Sequence, residues 1–245
     1  MIYLYDGSFY GFLTSVYHAV SNKDSFPEFF LRDRYTEPTF FEITDVNTNE
    51  EKAEKLLSYL ETKISKQFLY EIFVLYLSDV AEIGDLTVRY VKDGLKYGRS
   101  IHNFLHLPSA NEVMKIKRKV LHENHRLKGL LRFKKYDTCL VADISPDHNI
   151  IPIFYRHFER RLPNENWIIR DTVRKVAAVH FNGKTEIAQY DGGNVLPQND
   201  DEYEGIWCAF YDAIAIKERK NLRQRLNYMP RRYWKNIIEM QDKID

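Results

Sequence analysis

The chain has 245 residues, 44% of them hydrophobic and 14% aromatic, with 36 Lys/Arg against 35 Asp/Glu for a net charge of +1. That apolar content excludes a disordered chain, and the length suffices to bury a core without staples. Only two cysteines, Cys139 and Cys208, occur, far apart and without CxxC spacing; this excludes a disulfide framework, a thiolate zinc site and a resident iron–sulfur cluster, and points to a reducing, cytoplasmic setting.

Met1 to Gly7 lacks a basic start and a small-residue cleavage site, so no signal peptide is expected. Tyr3–Tyr5 reads as a short strand ended by Asp6-Gly7-Ser8. Phe9, Phe12, Leu13, Val16, Tyr17 and Val20 then recur at helical spacing, with Ser8 or Asp6 placed to cap the helix. Phe40–Thr44 reads as a strand, followed by a helix carrying Ala53, Leu56, Leu57, Leu60 and Ile64. Two more helices are expected over about 66–79 and 84–97. The most apolar run, Phe68 to Leu77, is interrupted by Glu71 and is too short to span a bilayer.

Pro108-Ser109 opens a helix through Arg126 with Val113, Ile116, Val120 and Leu121 inward, and Gly129 sits where it should stop. Leu130–Tyr136 and Thr138–Asp143 read as a strand pair, about 149–161 as a helix ended by Pro163, and Trp167–Asp171 as a strand. Val176–Phe181 and Lys184–Tyr190 flank Asn182-Gly183, the signature of a type I′ hairpin. An acidic loop over 191–202 precedes a helix over about 203–219, and Pro230 opens a last short helix. The expected class is α+β: a central, mostly antiparallel sheet flanked by helices from both ends of the chain. One compact domain is expected over 1–245, with a mainly helical lobe over 1–128 and a lobe of sheet plus C-terminal helices over 129–245.

Near-neutral net charge hides a segregation. Residues 115–135 hold nine Lys/Arg against Glu123 alone, and residues 213–235 hold eight against Glu218 alone. Acid is concentrated in 28–51 and 191–204. Segregated charge gives a neutral protein a positive face.

Several segments, in order along nearly the whole chain, carry a family resemblance: Tyr5-Asp6-Gly7-Ser8-Phe9 with Gly11-Phe12-Leu13, His125-Arg126, Gly129, Arg132-Phe133, His157-Phe158 and Arg161. They continue with Trp167, Ile169, Asp171, Arg174, Arg219, Asn221 and Pro230-Arg231-Arg232-Tyr233-Trp234. Together they resemble the bacterial family named domain of unknown function 4130, associated with DNA metabolism or repair. The resemblance implies a DNA or RNA partner and a radical-SAM protein partner, in the stand-alone form rather than the form fused to a uracil-DNA-glycosylase-like domain. It implies no catalytic residues.

Three chemistries follow from the residues. Nucleic-acid binding would use Arg126, Arg132, Arg223, Arg225, Arg231 and Arg232 on phosphates, with Tyr233 or Trp234 stacking on bases or packing inside. The plainer reading is solvated helix faces over a packed core. Acid–base chemistry on nucleic acid would use His125, His157 and Asp171 beside Arg126, Arg132, Arg161 and Arg174, although Asp171 and Arg174 equally suit a structural ion pair. His102/His106 and His122/His125 have helical spacing for metal, but no local acid completes either pair, and no metal or cofactor is expected. A module that binds protein without touching DNA, through the acidic 191–204 loop, is the remaining alternative.

Overall fold

The computed structural model describes residues 1–36, 39–80, 83–136, 139–190, 229–238 and 240. The chain divides into two compact units, Met1–Val120 and Leu121–Asp245. Among the described residues, no helix is long and apolar enough to cross a membrane.

The first unit is built on a three-stranded parallel sheet in which β1 (Ile2–Tyr5) lies between β2 (Glu28–Leu31) and β3 (Ile43–Asp45). A parallel pair needs a crossover, and α1 (Phe9–Ser21) supplies it between β1 and β2. Gly7 adopts φ +84°, the left-handed conformation that glycine tolerates. The Ser8 Oγ then accepts the Gly11 amide at 2.9 Å to cap α1. Asp6 fixes this turn by accepting the Ser8 amide and hydroxyl at 2.9 and 2.7 Å and the Thr48 hydroxyl at 2.7 Å. Burial alone would raise the Asp6 pKa, but those hydroxyls hold it below its ordinary value. A carboxylate therefore already occupies the mouth of the helix, where a bound anion would have to sit.

The helices α2 (Glu50–Lys63), α3 (Lys66–Leu77), α4 (Ile83–Tyr97) and the beginning of α5 (Pro108–Leu130) complete this unit. Glu71 is wholly buried on the same stripe of α3 as Phe68, Ile72 and Leu75. It accepts Lys117 Nζ at 3.0 Å, the Tyr90 hydroxyl at 2.6 Å and Gln67 Nε2 at 3.1 Å. Its Oε2 also lies 3.5 Å from His102 Nδ1. Such a buried acid is tolerated only because it is paired and hydrogen-bonded.

The second unit carries a five-stranded sheet in the order β4 (Lys134–Tyr136), β5 (Cys139–Ile144), β6 (Asn166–Asp171), β7 (Val176–Phe181), β8 (Lys184–Gln189). The β5–β6 pair is parallel, joined through α6 (Ile151–Arg161), and the other three pairs are antiparallel. Alternation gives the sheet two faces. Trp167, Ile169, Asp171, Ala178 and His180 share one, and α6 covers it: Trp167 Nε1 donates to Leu162 O at 3.2 Å, and Thr185 donates to Glu159 at 2.7 Å. Asp143 and Arg170, paired across β5 and β6, share the other.

Several expectations are corrected. There are two sheets rather than one: the three-stranded sheet is wholly parallel, while the five-stranded sheet is mostly antiparallel with β5–β6 as its parallel pair. The strand β2, a four-residue edge in an acidic stretch, carries no alternating signal of its own. The strand expected over 40–44 is confined to Ile43–Asp45. Finally, α5 runs through Gly129 to Leu130, so the strand expected over 130–136 shrinks to Lys134–Tyr136. Gly129 stays helical because nothing there requires positive φ, and a Cβ would meet no atom within 4 Å. Asn182 and Gly183, at φ 49° and 75°, form the expected I′ turn. The last helix is a 3-10 segment, Arg231–Asn236. The helix expected over about 203–219 and the acidic loop lie outside the described residues.

Replacing Glu71 by Ala should leave Lys117 without its buried counter-charge and cost about 3–5 kcal/mol in urea unfolding. The double change Glu71→Met with Lys117→Met should recover most of that loss. A single-variant cost below about 1 kcal/mol, the range of an exposed pair, would show the network to be dispensable.

Candidate nucleic-acid interface

In the second unit, the end of α5 and the outer side of α6 bring cations together. Ile151, Phe154 and Phe158 form the buried stripe of α6, which turns Arg156, Arg160 and Arg161 to solvent with His157 half-exposed beside them. On α5, Leu127 and Leu130 point inward, leaving His122 and His125 exposed and Arg126 and Lys128 half-exposed. Arg126 donates to His122 Nε2 at 2.8 Å, which requires the neutral imidazole protonated on Nδ1.

The electrostatics show that these groups feel one another. Burial and then the positive charges of Lys128, Arg161 and Arg160 push the His157 pKa below its ordinary value. Burial and then Arg160 do the same to Lys128. Among the described residues no carboxylate forms an ion pair with Lys128, Arg160 or Arg161. Cations at helix C-termini also complement the macrodipole, and that gain helps offset their mutual repulsion. An arriving polyanion would relieve the rest.

A second cluster, beside this surface in the same unit, is structural. Glu123 is buried on α5 and accepts the amides of Asp147 and His148 at 2.8 and 2.9 Å and the Tyr233 hydroxyl at 2.5 Å. The loop between β5 and α6 is held from its other side by Arg174, which donates to Pro146 O at 3.1 Å and Asp147 O at 2.5 Å. Asp171, wholly buried, orients that arginine: its Oδ2 accepts Arg174 Nη1 at 3.1 Å, and its Oδ1 accepts the amides of Val173 and Arg174 at 2.9 and 3.1 Å. Arg232 closes the cluster with Asp147 at 2.7 Å and the Tyr233 hydroxyl at 2.9 Å. Burial and Glu123 both push the Tyr233 phenol pKa upward.

The residues singled out from sequence therefore separate. Arg126, His125 and His157 lie on the cationic helices. Arg132 closes the end of α5, donating to the carbonyls of Gly129 and Leu131 at 3.1 Å each. Arg231 is exposed, with its guanidinium 5.7 Å from the Trp234 ring centre. Tyr233 and Trp234 are core residues, 1% and 5% exposed, and Trp234 Nε1 donates to Met229 O at 2.8 Å; their rings are not presented for base stacking. Arg223 and Arg225 lie outside the described residues. No hydrogen bond among the described residues joins His125 or His157 to Asp171, whose carboxylate is committed to its turn. His102 is taken up by Ser65 at 2.8 Å, and no group of three His, Cys, Asp or Glu among the described residues is placed to hold a metal.

Sequence reasoning passed over Glu123, Lys128 and Arg160. Glu123 had a signal: it falls between Val120 and Leu127 on the inward stripe, as the lone acid in a basic run. Arg156 and Arg160 lie between the two basic stretches and become conspicuous only when α6 is packed, whereas Arg161 was already singled out from the sequence.

The family model described as "Domain of unknown function (DUF4130)" matches residues 81–239, about two thirds of the chain. No curated protein matches, and no solved structure does.

Changing Tyr233 to Phe removes a hydrogen bond to a buried carboxylate and should cost about 1.5–3 kcal/mol in denaturant unfolding. Glu123→Ala should in addition speed hydrogen exchange at the amides of Asp147 and His148. Unchanged exchange at both amides would show that the loop does not depend on Glu123.

Proposed function

The chain belongs to the DUF4130 family, and we propose that it is a nucleic-acid-associated accessory protein of bacterial DNA metabolism or repair, acting with a radical-SAM partner. The setting and the protein partner come from the sequence resemblance. The observation that supports direct contact with nucleic acid is the surface of Lys128, Arg160 and Arg161, none of them paired with a carboxylate among the described residues, beside the titratable His157. Arginine presents a planar fork to phosphate oxygens, and α6 carries two adjacent forks at Arg160 and Arg161. With Tyr233 and Trp234 inside, this surface contacts backbone phosphates and discriminates little between sequences. An enzymatic reading through His125, His157 and Asp171 has less support, since Asp171 is spent on the turn after β6.

Binding to labelled single- and double-stranded DNA should fall steeply with salt, with a dissociation constant on the order of 10⁻⁴–10⁻⁶ M near physiological ionic strength. Replacing Lys128, Arg160 and Arg161 together by Ala should flatten the slope of log K against log salt by about 0.9 for each phosphate no longer neutralised. A salt-independent wild type, or a triple variant with an unaltered slope, removes the proposal.

The His157 shift also sets a pH dependence. Its folded pKa is lowered, so between that value and the ordinary ~6.5 of the unfolded chain the folded state binds fewer protons, and stability declines as pH falls through that window. Bound phosphate reverses the sign locally by offsetting the cations that depress His157. DNA affinity, measured at fixed ionic strength, should therefore rise as pH is lowered below about 6.5, and this rise should shrink in His157→Gln. An identical pH profile in the variant would take His157 out of the interface.

A further inference from the structure

In the first unit a serine, a histidine and a buried glutamate stand in line. Ser65 lies between α2 and α3 in an extended conformation, and its Oγ caps α3 by accepting the Phe68 amide at 3.1 Å. The same Oγ lies 2.8 Å from His102 Nε2. His102 belongs to the 3-10 segment Gly98–Asn103, and its Nδ1 lies 3.5 Å from Glu71 Oε2. Access falls along the line, from a half-buried serine through a histidine 19% exposed to a carboxylate with no exposure.

The charges fix which way the protons point. Glu71 accepts from Lys117 Nζ and the Tyr90 hydroxyl, as an ionised carboxylate does. Burial and then Glu71 push the Tyr90 phenol pKa upward, so that phenol stays protonated and donating. A carboxylate facing Nδ1 requires the N–H on that nitrogen, because a lone pair there would meet negative charge. Nε2 is then the acceptor, and the Ser65 hydroxyl donates to it. The Phe68 amide occupies one lone pair of Oγ and leaves the other for attack.

Two features exceed what a helix cap needs. Capping uses only the Phe68 bond, yet His102 also engages the hydroxyl and turns its second nitrogen to a buried acid. His102 Nδ1 is buried and makes no formed hydrogen bond among the described residues. A contact of this kind closes when the imidazole gains charge in a substrate complex. The amides of Lys66 and Gln67, next along α3, also have no partner among the described residues. Two free N–H groups thus follow Ser65 directly at the positive end of the helix, as donors for a developing oxyanion.

We infer that Ser65, His102 and Glu71 form an acyl-transfer site that hydrolyses carboxylic esters. Ser65 Oγ bonds to the ester carbonyl carbon while its proton passes to His102 Nε2. The bond from that carbon to the alkoxy oxygen breaks, and the departing oxygen takes the proton and leaves as the alcohol. Water then attacks the acyl-serine and gives a proton to Nε2. The acid departs as Ser65 Oγ recovers that proton. Ser65 and His102 are the catalytic residues, and Glu71 is a positioning residue that orients the imidazole and stabilises its charged form. Esters suit the site better than amides, because an alkoxide leaves with less proton assistance than an amine. The site lies wholly in the first unit and does not rest on the nucleic-acid reading.

The test treats the full chain with a fluorophosphonate, from which a nucleophilic serine displaces fluoride, and separately with p-nitrophenyl acetate. The probe should attach to Ser65, as located by peptide mass, and the ester should be cleaved. Ser65→Asn keeps a capping side chain but has no nucleophile, so it should stay folded, take up no probe and lose hydrolysis. His102→Gln should slow ester cleavage about 10²–10⁴-fold, the range for a lost general base. Glu71→Gln keeps the side-chain size and should lower kcat with little change in KM, a split that looser packing alone would not produce. Absence of probe on Ser65, hydrolysis by Ser65→Asn equal to wild type, or an unchanged kcat in Glu71→Gln overturns the inference.

Discussion

A single buried carboxylate organises the second unit. Glu123 reaches from α5 to two consecutive amides, Asp147 and His148, just before α6, and to the hydroxyl of Tyr233. The loop from β5 to α6 has backbone donors that no sheet or helix satisfies, and burying them unpaired would carry a penalty for each. Glu123 satisfies two of them with one side chain, and in doing so fixes where α6 starts and so which way its arginines face. Tyr233 brings the chain's late 3-10 segment into the same junction. The accepted bonds are also what permit a buried charge at this place.

The same division of labour explains Pro230-Arg231-Arg232-Tyr233-Trp234. A basic-aromatic run resembles a stacking platform when read as a string, but in three dimensions it is two-sided. Tyr233 and Trp234 are inside, and Arg231 and Arg232 are outside. Arg232 belongs partly to the framework, since it braces Asp147 as well as Tyr233. Burial alone would lower its pKa, while Tyr233 and the nearby negative groups Asp147 and Glu123 raise it. Arg174 is spent in the same way on the carbonyls of Pro146 and Asp147. Arg174 and Arg232 are thus explained by the carboxylates and carbonyls they touch, whereas Arg160 gives one N–H to the Arg156 carbonyl at 3.2 Å and, like Arg161, pairs with no carboxylate among the described residues.

Much of this was legible in the sequence, for reasons that are local. Helical spacing located α1 to α6 because each has a continuous apolar stripe. Asn182-Gly183 announced its hairpin because few other pairs accept two positive φ values. The parallel pairing of β5 with β6 was not legible, since a strand's partner is a property of the packed sheet. The end of α5 was misplaced because Gly129 looks like a terminator when its surroundings are unknown. For the functional surface, the sequence supplied an excess of charge between 115 and 135 but not its partners. Lys128 acquires its meaning only when Arg160, thirty-odd positions later, is packed beside it.

Buried acids on apolar stripes proved more informative than the basic runs that surround them. Glu71 lies among Phe68, Ile72 and Leu75, and Glu123 lies between Val120 and Leu127. An acid at such a position has no solvent to face, so it must collect donors, and each does: Lys117, Tyr90 and Gln67 for Glu71, two amides and Tyr233 for Glu123. The helix α5 contributes Lys117 to the network of the first unit and Glu123 to that of the second. Glu112 lies 3.7 Å from the Arg89 guanidinium, while Lys115, Arg118 and Lys119 are exposed on the outward side. A basic helix that spends particular charges on its framework leaves the others to respond to whatever anion approaches. Burial first, and then the neighbouring positive charges, depress the pKa values of Lys128 and His157 on that surface.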